Sequence, residues 1–358
     1  MTGSTVGSVT ESFVDAILES PLGVTLLARI ETLARRPEGW SSLVDSSPDG
    51  VERALDLLGS MAIGEFMELV VFSAVIDVGP WSPDAPRHAA RAYRCATDRA
   101  PIAAAIGERF GEVLHRPLDL DAQQWWTTAG SWNHELAPLF VDFENVYGPG
   151  QFTWAGLWTV SDPPEVAHAQ LVDAWEMYDG PVTRWRLPVR SGARVFEING
   201  PDDWAKLVTE HPREAASHAE HWELPGINQD PSTVQELLDV SGQRAARTRI
   251  RSHLVPDWRS VAEHWDGVHL TWAGFVTAEG CITELGGGDV TMLRYWFSER
   301  TLWLSDMFTQ PEPLAPPRMD DDTLSDGSPA IVHPGDLEAR RERDLALLSE
   351  LLGRPRGF

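Results

Sequence analysis

The residue types that could do chemistry are most concentrated between Glu263 and Thr277, where two histidines, an aspartate and two tryptophans occur within fifteen residues. His264 and Asp266 have the spacing of two ligands of a non-haem iron site, with His333 as the distal histidine. Such a site takes two imidazoles and one carboxylate on one side of the ion and leaves positions open for substrate. An iron oxygenase is therefore one hypothesis, and the alternative is that His264 caps a helix or packs beside Trp265.

A second set of polar residues is spread over residues 190–306. Arg194 lies on a predicted strand, His269 and Thr271 follow Trp265 on a predicted buried strand, and Glu299 precedes a further strand. This order resembles the small mixed-sheet core of the ADP-ribosyltransferases, in which an arginine or histidine, a serine or threonine and a late glutamate surround NAD. The resemblance implies a nucleotide-like ligand and a transferase activity.

The same resemblance assigns a role to each residue. Glu299 would stabilise the positive charge that develops on the ribose as nicotinamide leaves. Arg194 would bind the pyrophosphate, and tryptophan rings would flank the nicotinamide. The candidate catalytic residues are then Glu299 and His269, and the candidate ligand-binding residues are Arg194, Trp265, Thr271 and Trp272. One NAD molecule must contact Arg194, Thr271 and Glu299, so we expect all three within about 15 Å of each other.

Composition limits the classes of partner. The chain has 358 residues, with 54 acidic and 29 basic side chains and a net charge of −25. A charge of this sign argues against nucleic acid and against an anionic membrane surface, since both are bound through lysine and arginine. It is compatible with a basic protein partner. Two cysteines, no apolar leader and no long apolar run predict a protein of the reducing cytoplasm.

Tryptophan is unusually frequent, and 14 of the 16 tryptophans follow residue 120. They predict a core built from large rings or, for a minority of them, a ligand-binding cleft. The strings Pro256-Asp257-Trp258 and Trp265–Leu270 resemble tryptophan-rich actinobacterial proteins. An actinobacterial origin also fits a chain whose only lysine is Lys206, because arginine codons are rich in G and C.

The elements that must position these residues form an α+β fold. Apolar residues at helical spacing predict a helical bundle over residues 1–120. Residues 121–308 predict a tryptophan-rich domain with a mixed or antiparallel sheet and helices, including one strand over Gly267–Ala278. Residues 309–335 are rich in proline and aspartate, which predicts a linker or loop. For residues 336–358 the pattern predicts a C-terminal helix that packs against the rest of the protein.

The string Thr-Trp-Ala-Gly occurs at residues 153–156 and again at residues 271–274. It is either chance or a decayed duplication, and a duplication requires both copies to lie on equivalent strands. Two classes of function remain open. One is an enzyme that acts on a nucleotide-like small molecule in a tryptophan-lined cleft, and the other is a non-catalytic acidic protein, of the immunity type, that binds a basic protein. The sequence identifies no cofactor.

Overall fold

The structure is a computed structural model that describes residues 6–35, 43, 45–78, 85–127, 157–161, 183–215, 239, 249–294, 296 and 298–314. In the described part of the chain six α-helices precede the first strand and three more lie between strands, and the α+β class predicted from the sequence is confirmed. The α-helices are α1 Val6–Glu19, α2 Pro21–Arg35, α3 Pro48–Ser60, α4 Ile63–Ser73, α5 Ala85–Tyr93, α6 Ala100–Leu114, α7 Pro201–Glu210, α8 Trp258–Ala262 and α9 Trp272–Ala278. A π-helical turn, Ala74–Val78, extends α4, and a 3-10 turn, Thr97–Arg99, precedes α6.

Eleven strands are found in the described part of the chain. They are β1 Gln123–Thr127, β2 Leu157–Ser161, β3 Thr183–Arg186, β4 Val195–Ile198, β5 Pro212–Glu214, β6 Ser252–Pro256, β7 Gly267–Leu270, β8 Ile282–Gly286, β9 Asp289–Met292, β10 Arg300–Trp303 and β11 Glu312–Leu314. Seven of them form a large sheet in the order β11-β3-β1-β2-β10-β7-β4. Its neighbours are antiparallel, except that β4 runs parallel to β7. The other four form a small sheet in the order β5-β6-β9-β8.

The helical bundle predicted for the N-terminal part is confirmed by α1 to α6. Ser47 begins α3 as its N-cap, because the Ser47 hydroxyl accepts a hydrogen bond from the Gly50 N–H. Two ion pairs are buried inside this layer, Arg29 with Asp77 and Arg99 with Glu31. Each pair joins α2 to a later segment and compensates two charges that would otherwise be costly to bury.

The main hydrophobic core lies between these helices and one face of the large sheet. The sheet contributes Phe196, Ile198, Val268, Leu270 and Leu302, all of them buried. Because side chains alternate along a strand, the residues between them point to the other face. Residues of the helices and of the sheet belong to the same cluster, so the predicted units 1–120 and 121–308 share one core.

The tryptophans serve mainly as core residues in the described part of the chain. Five rings are buried, namely those of Trp204, Trp258, Trp272, Trp296 and Trp303. Trp204, Trp258 and Trp296 lie against one another, with ring centroids 6.2 to 6.4 Å apart. These five tryptophans therefore form part of a core built from large rings, as one of the two interpretations of the sequence predicted.

The single strand predicted for Gly267–Ala278 is wrong. Strand β7 ends at Leu270, and α9 begins at Trp272. The Thr271 hydroxyl accepts a hydrogen bond from the Gly274 N–H and is therefore the N-cap of α9. The change from strand to helix also contradicts the duplication hypothesis. Residues 157–161, which follow the first Thr-Trp-Ala-Gly string, form a strand, whereas the residues that follow the second string are helical. Residues 153–156 themselves lie outside the described residues.

Two breaks between strands, at Ser191-Gly192 and at Glu299, are not hairpin turns. The break at Ser191-Gly192 separates β3 from β4, which pair with different strands of the large sheet. The break at Glu299 separates β9, in the small sheet, from β10, in the large sheet. An apolar pattern identifies a strand without identifying its partner, which is set by contacts far along the chain.

The C-terminal predictions fall largely beyond what the structure describes. Strand β11 lies within the predicted linker 309–335 and pairs with β3 at the edge of the large sheet. The predicted helix 336–358 lies outside the described residues. Among the described helices, none is both long and apolar enough to cross a bilayer.

Candidate functional site

Buried polar side chains form a row across the centre of the large sheet, on the face turned away from the helices. We call this set the polar row, and its members are Gln123, Thr159, Ser161, His269, Glu299 and Thr301. The strand register places them side by side. Gln123 of β1 is opposite Ser161 of β2, and Thr301 of β10 lies between Thr159 of β2 and His269 of β7. Four neighbouring strands therefore contribute polar groups to one surface.

Hydrogen bonds link the row at its β1 end. The Gln123 amide donates from Nε2 to Ser161 Oγ, over 2.9 Å, and its Oε1 accepts from the Thr159 hydroxyl. Thr159 Oγ1 also accepts from the indole of Trp303, Nε1 to Oγ1 2.7 Å. Gln123 and Thr159 have no exposed surface. A buried amide and hydroxyl are tolerated because each is hydrogen-bonded.

The β7 end of the row holds the imidazole and the carboxyl group. His269 Nδ1 lies 3.0 Å from Thr301 Oγ1 and 3.6 Å from Glu299 Oε1. The Ser161 N–H donates to both Glu299 oxygens, at 3.2 and 3.3 Å. Burial lowers the pKa of His269 to about 3, because the charged imidazolium loses its hydration. The site therefore pairs a neutral imidazole with a carboxyl group at neutral pH.

His269 and Glu299, the two candidate catalytic residues, are thus brought together. Arg194 is not. Its neighbour Val195 pairs with Gly267 at the start of β7, while Thr271 and Glu299 lie at the other end of that strand. Five residues of extended chain, about 16 Å, separate Arg194 from Thr271 along the strand direction. The arrangement implied by the ADP-ribosyltransferase resemblance, with all three residues around one NAD, is not found.

The other candidate ligand-binding residues have structural contacts. Thr271 Oγ1 caps α9 and donates to Ile198 O over 3.2 Å. The Trp265 ring packs edge-on against Phe196, with centroids 5.4 Å apart. The Trp272 ring is buried. The Trp272 ring belongs to the main hydrophobic core, and the Trp265 ring packs against that core.

The iron hypothesis receives no support from the positions of its ligands. Asp266 accepts hydrogen bonds from the Arg194 N–H, 2.8 Å, and from the Ser305 hydroxyl, 3.1 Å. His264 Nδ1 lies 3.2 Å from Ser260 O. His333 lies outside the described residues. No group of three or more histidine, cysteine, aspartate or glutamate residues in the described part of the chain is arranged to hold a metal ion.

Sequence reasoning missed four members of the row, Gln123, Thr159, Ser161 and Thr301. One signal was present in β2, where Leu157, Thr159 and Ser161 alternate with Trp158 and Val160, so that hydroxyl groups recur on one face. Strand β1 was not predicted, and its role depends on pairing with β2. Comparison of the chain with protein family models, curated proteins and solved structures finds no match.

Proposed function

We propose that the protein is an enzyme that binds a small polar molecule at the polar row, removes a proton from it with Glu299 and stabilises the resulting negative charge with His269. One observation carries the proposal. A neutral imidazole lies 3.6 Å from a carboxyl group inside a hydrogen-bonded set of side chains from four strands. Titratable groups whose protonation is strongly altered by burial, together with a specific polar partner, are enriched at functional sites.

The energetics of the sheet support a role beyond stability. The opposite face of the same strands is filled with apolar side chains such as Val268, Leu270 and Leu302. Apolar residues on the row would stabilise the sheet at least as well, because a buried polar group gains only about 1 kcal/mol net from each hydrogen bond. We infer that the row is polar because a ligand needs it.

The chemistry follows from a neutral imidazole beside a carboxyl group. A carboxylate at Glu299 accepts a proton from a hydroxyl group or from a carbon next to a carbonyl group of the ligand. A neutral imidazole at His269 stabilises the negative charge that develops on the ligand oxygen, without giving up a full proton. The hydrogen bonds of Thr301, Thr159 and Gln123 within the row hold the imidazole and the carboxyl group in position. A nucleotide-like molecule has the hydroxyl and carbonyl groups that this arrangement would bind.

The test is a thermal-shift screen of the full chain against nucleotides, NAD and small hydroxy and keto acids. A ligand at 100 times its dissociation constant stabilises the native state by about 2.7 kcal/mol, which raises the melting temperature. We expect Glu299→Gln and Thr301→Val to lose the shift. The matched control is Thr277→Val, because Thr277 is also buried and donates to a backbone carbonyl, Ala273 O at 2.7 Å, but lies outside the row.

Two outcomes would count against the proposal. One is a screen in which no compound shifts the wild-type melting temperature. The other is a shift that persists in Thr301→Val and Glu299→Gln. Each variant is compared with its own melting temperature without ligand, so a loss of intrinsic stability is not mistaken for a loss of binding.

A second candidate function is binding to a basic protein, which the outer surface of the helical layer favours. Helices α3 and α6 contact each other and expose Glu52, Asp56, Glu108 and Glu112. We call these four carboxylates the acidic face. The two arginines nearby are engaged in contacts of their own. Arg53 pairs with Asp49, 3.2 Å, and Arg109 donates to Met61 O, 2.9 Å.

A further inference from the structure

Two histidines that are far apart in the sequence lie side by side next to the small sheet. His211 follows α7, and His264 follows α8. The centroids of their rings are 5.1 Å apart, with the ring planes at 49°. His211 is buried, whereas His264 is exposed, so the pair lies at the surface of the protein.

Ser260 contacts the Nδ1 atom of each ring. His211 Nδ1 lies 2.8 Å from Ser260 Oγ, and His264 Nδ1 lies 3.2 Å from Ser260 O. A carbonyl oxygen only accepts, so neutral His264 has its proton on Nδ1 and a lone pair on Nε2. Within the described residues, no hydrogen bond is formed by either Nε2 atom. Among the described residues, then, both Nε2 atoms are available to a ligand.

Ser260 itself is fixed by the start of α8. The Asp257 carboxylate accepts hydrogen bonds from the Arg259 and Ser260 N–H groups, and the Asp257 N–H donates to His211 O over 2.8 Å. A histidine that binds a metal commonly donates its second ring N–H to a carbonyl or carboxylate group, which fixes the ring orientation. His264 has such a partner in Ser260 O, and His211 has the Ser260 hydroxyl.

The spacing of the rings fits one shared ion. A bond from zinc to an imidazole nitrogen is about 2.1 Å long, so two imidazoles on one tetrahedral ion have ring centres about 5 Å apart. The observed separation is 5.1 Å. We propose that His211 and His264 form a two-histidine site for a borderline divalent ion such as Zn²⁺, Ni²⁺ or Cu²⁺. Water fills the remaining positions on the exposed side.

This site differs from the iron hypothesis drawn from the sequence. His264 is common to both, but its partner here is His211, fifty-three residues earlier in the chain, and Asp266 is engaged with Arg194. Imidazole nitrogens suit zinc, copper and nickel, whereas a site for Mg²⁺ or Ca²⁺ takes oxygen ligands. The proposal does not depend on the function proposed for the polar row.

The test is isothermal titration of the full chain, freed of metal with a chelator, with Zn²⁺ and with Ni²⁺. We expect one metal ion to bind per chain. His211→Ala and His264→Ala should each bind it at least about 10-fold more weakly. Loss of a residue that hydrogen-bonds a ligand already weakens metal binding about 10-fold or more, and loss of the ligand itself should weaken it further. Ser260→Ala should weaken binding less, since it removes only the hydroxyl partner of His211. His264 is exposed, so its variant should fold normally.

The matched control is the double variant His218→Ala and His221→Ala, since these histidines share the spacing of possible ligands in the sequence. It should bind zinc as the wild type does. A second readout is the electron paramagnetic resonance spectrum of bound Cu²⁺, which should show nitrogen couplings that are lost in His264→Ala. Unchanged affinity in His211→Ala and His264→Ala, or loss of binding only in the His218 and His221 variant, would overturn the proposal.

Discussion

At the scale of single residues, the burial of His269 makes stability depend on pH. The pKa of a histidine is about 6.5 in the unfolded chain, and that of His269 is about 3 in the folded protein. Between these values the unfolded state binds a proton that the native state does not, so stability is fully present above pH 6.5 and falls as the pH decreases. The loss is about 1.4 kcal/mol per pH unit.

The measurement is urea denaturation of the wild type and of His269→Gln at pH 7.5, 6.5 and 5.5. Glutamine cannot titrate in this range, so the free energy of unfolding of the variant should fall less steeply between pH 6.5 and 5.5 than that of the wild type. His264→Gln is the control, because it removes an exposed imidazole. Equal slopes in the wild type and in His269→Gln would show that His269 is not buried in its neutral form.

The resemblance to the ADP-ribosyltransferases selected part of the candidate site. His269 and Glu299 were its catalytic candidates, and the structure places His269 Nδ1 3.6 Å from Glu299 Oε1. Arg194 was chosen on the same basis, yet it lies at the opposite end of the strands. The register and direction of β4 against β7 separate them, and no local pattern specifies either.

At the scale of secondary-structure elements, the close approach of α9 to β4 depends on a glycine. A Cβ at Gly274 would lie 2.2 Å from Ile198 O and 2.8 Å from a Leu270 methyl group. We therefore expect Gly274→Ala to lower the free energy of unfolding by about 1–3 kcal/mol or more, the usual cost of overpacking a core. Thermal or urea denaturation measures this change.

Gly111 provides the matched control, because it is also a helical glycine but a Cβ there meets nothing within 4 Å. Gly111→Ala should stabilise the protein by about 0.5–1 kcal/mol, since alanine loses less backbone entropy in a helix. If both variants had the same effect, the contact between α9 and β4 would not be as close as described.

The same helix explains why one element was predicted wrongly. Residues Gly267–Ala278 are apolar nearly throughout, and a short apolar run is compatible with a buried strand or a buried helix. The Thr271 cap divides the run, and every residue of α9 is buried. A helix buried on all sides has no polar face, so the period of 3.6 residues that identifies an amphipathic helix is missing.

At the scale of the whole molecule, the charge of −25 bears on the second candidate function. If the acidic face of α3 and α6 binds a basic partner, polylysine should bind to this face in preference to other acidic parts of the surface. The test variant replaces its four carboxylates with amides, and the control variant does the same to four exposed carboxylates elsewhere, Asp202, Glu214, Glu284 and Glu312.

Both variants change the net charge by the same amount, so their comparison separates local from overall attraction. We expect the acidic-face variant to bind polylysine at least about 10-fold more weakly than the control variant at low salt, because complementary charge acts mainly at short range. Surface plasmon resonance gives both rate constants. Equal affinities for the two variants would mean that only the net charge attracts the polycation and that the face is no docking site.

The sequence by itself determined the α+β class, the N-terminal helices, the high tryptophan content and the charge, since each depends on composition or on periodicity within a segment. Only the tertiary structure decided the polar row and the pairing of His211 with His264. Gln123, Thr159 and Thr301 become neighbours through the pairing of β1, β2 and β10. Strand pairing joins segments that are far apart in the chain, so it depends on the energy of the whole fold rather than on any local pattern.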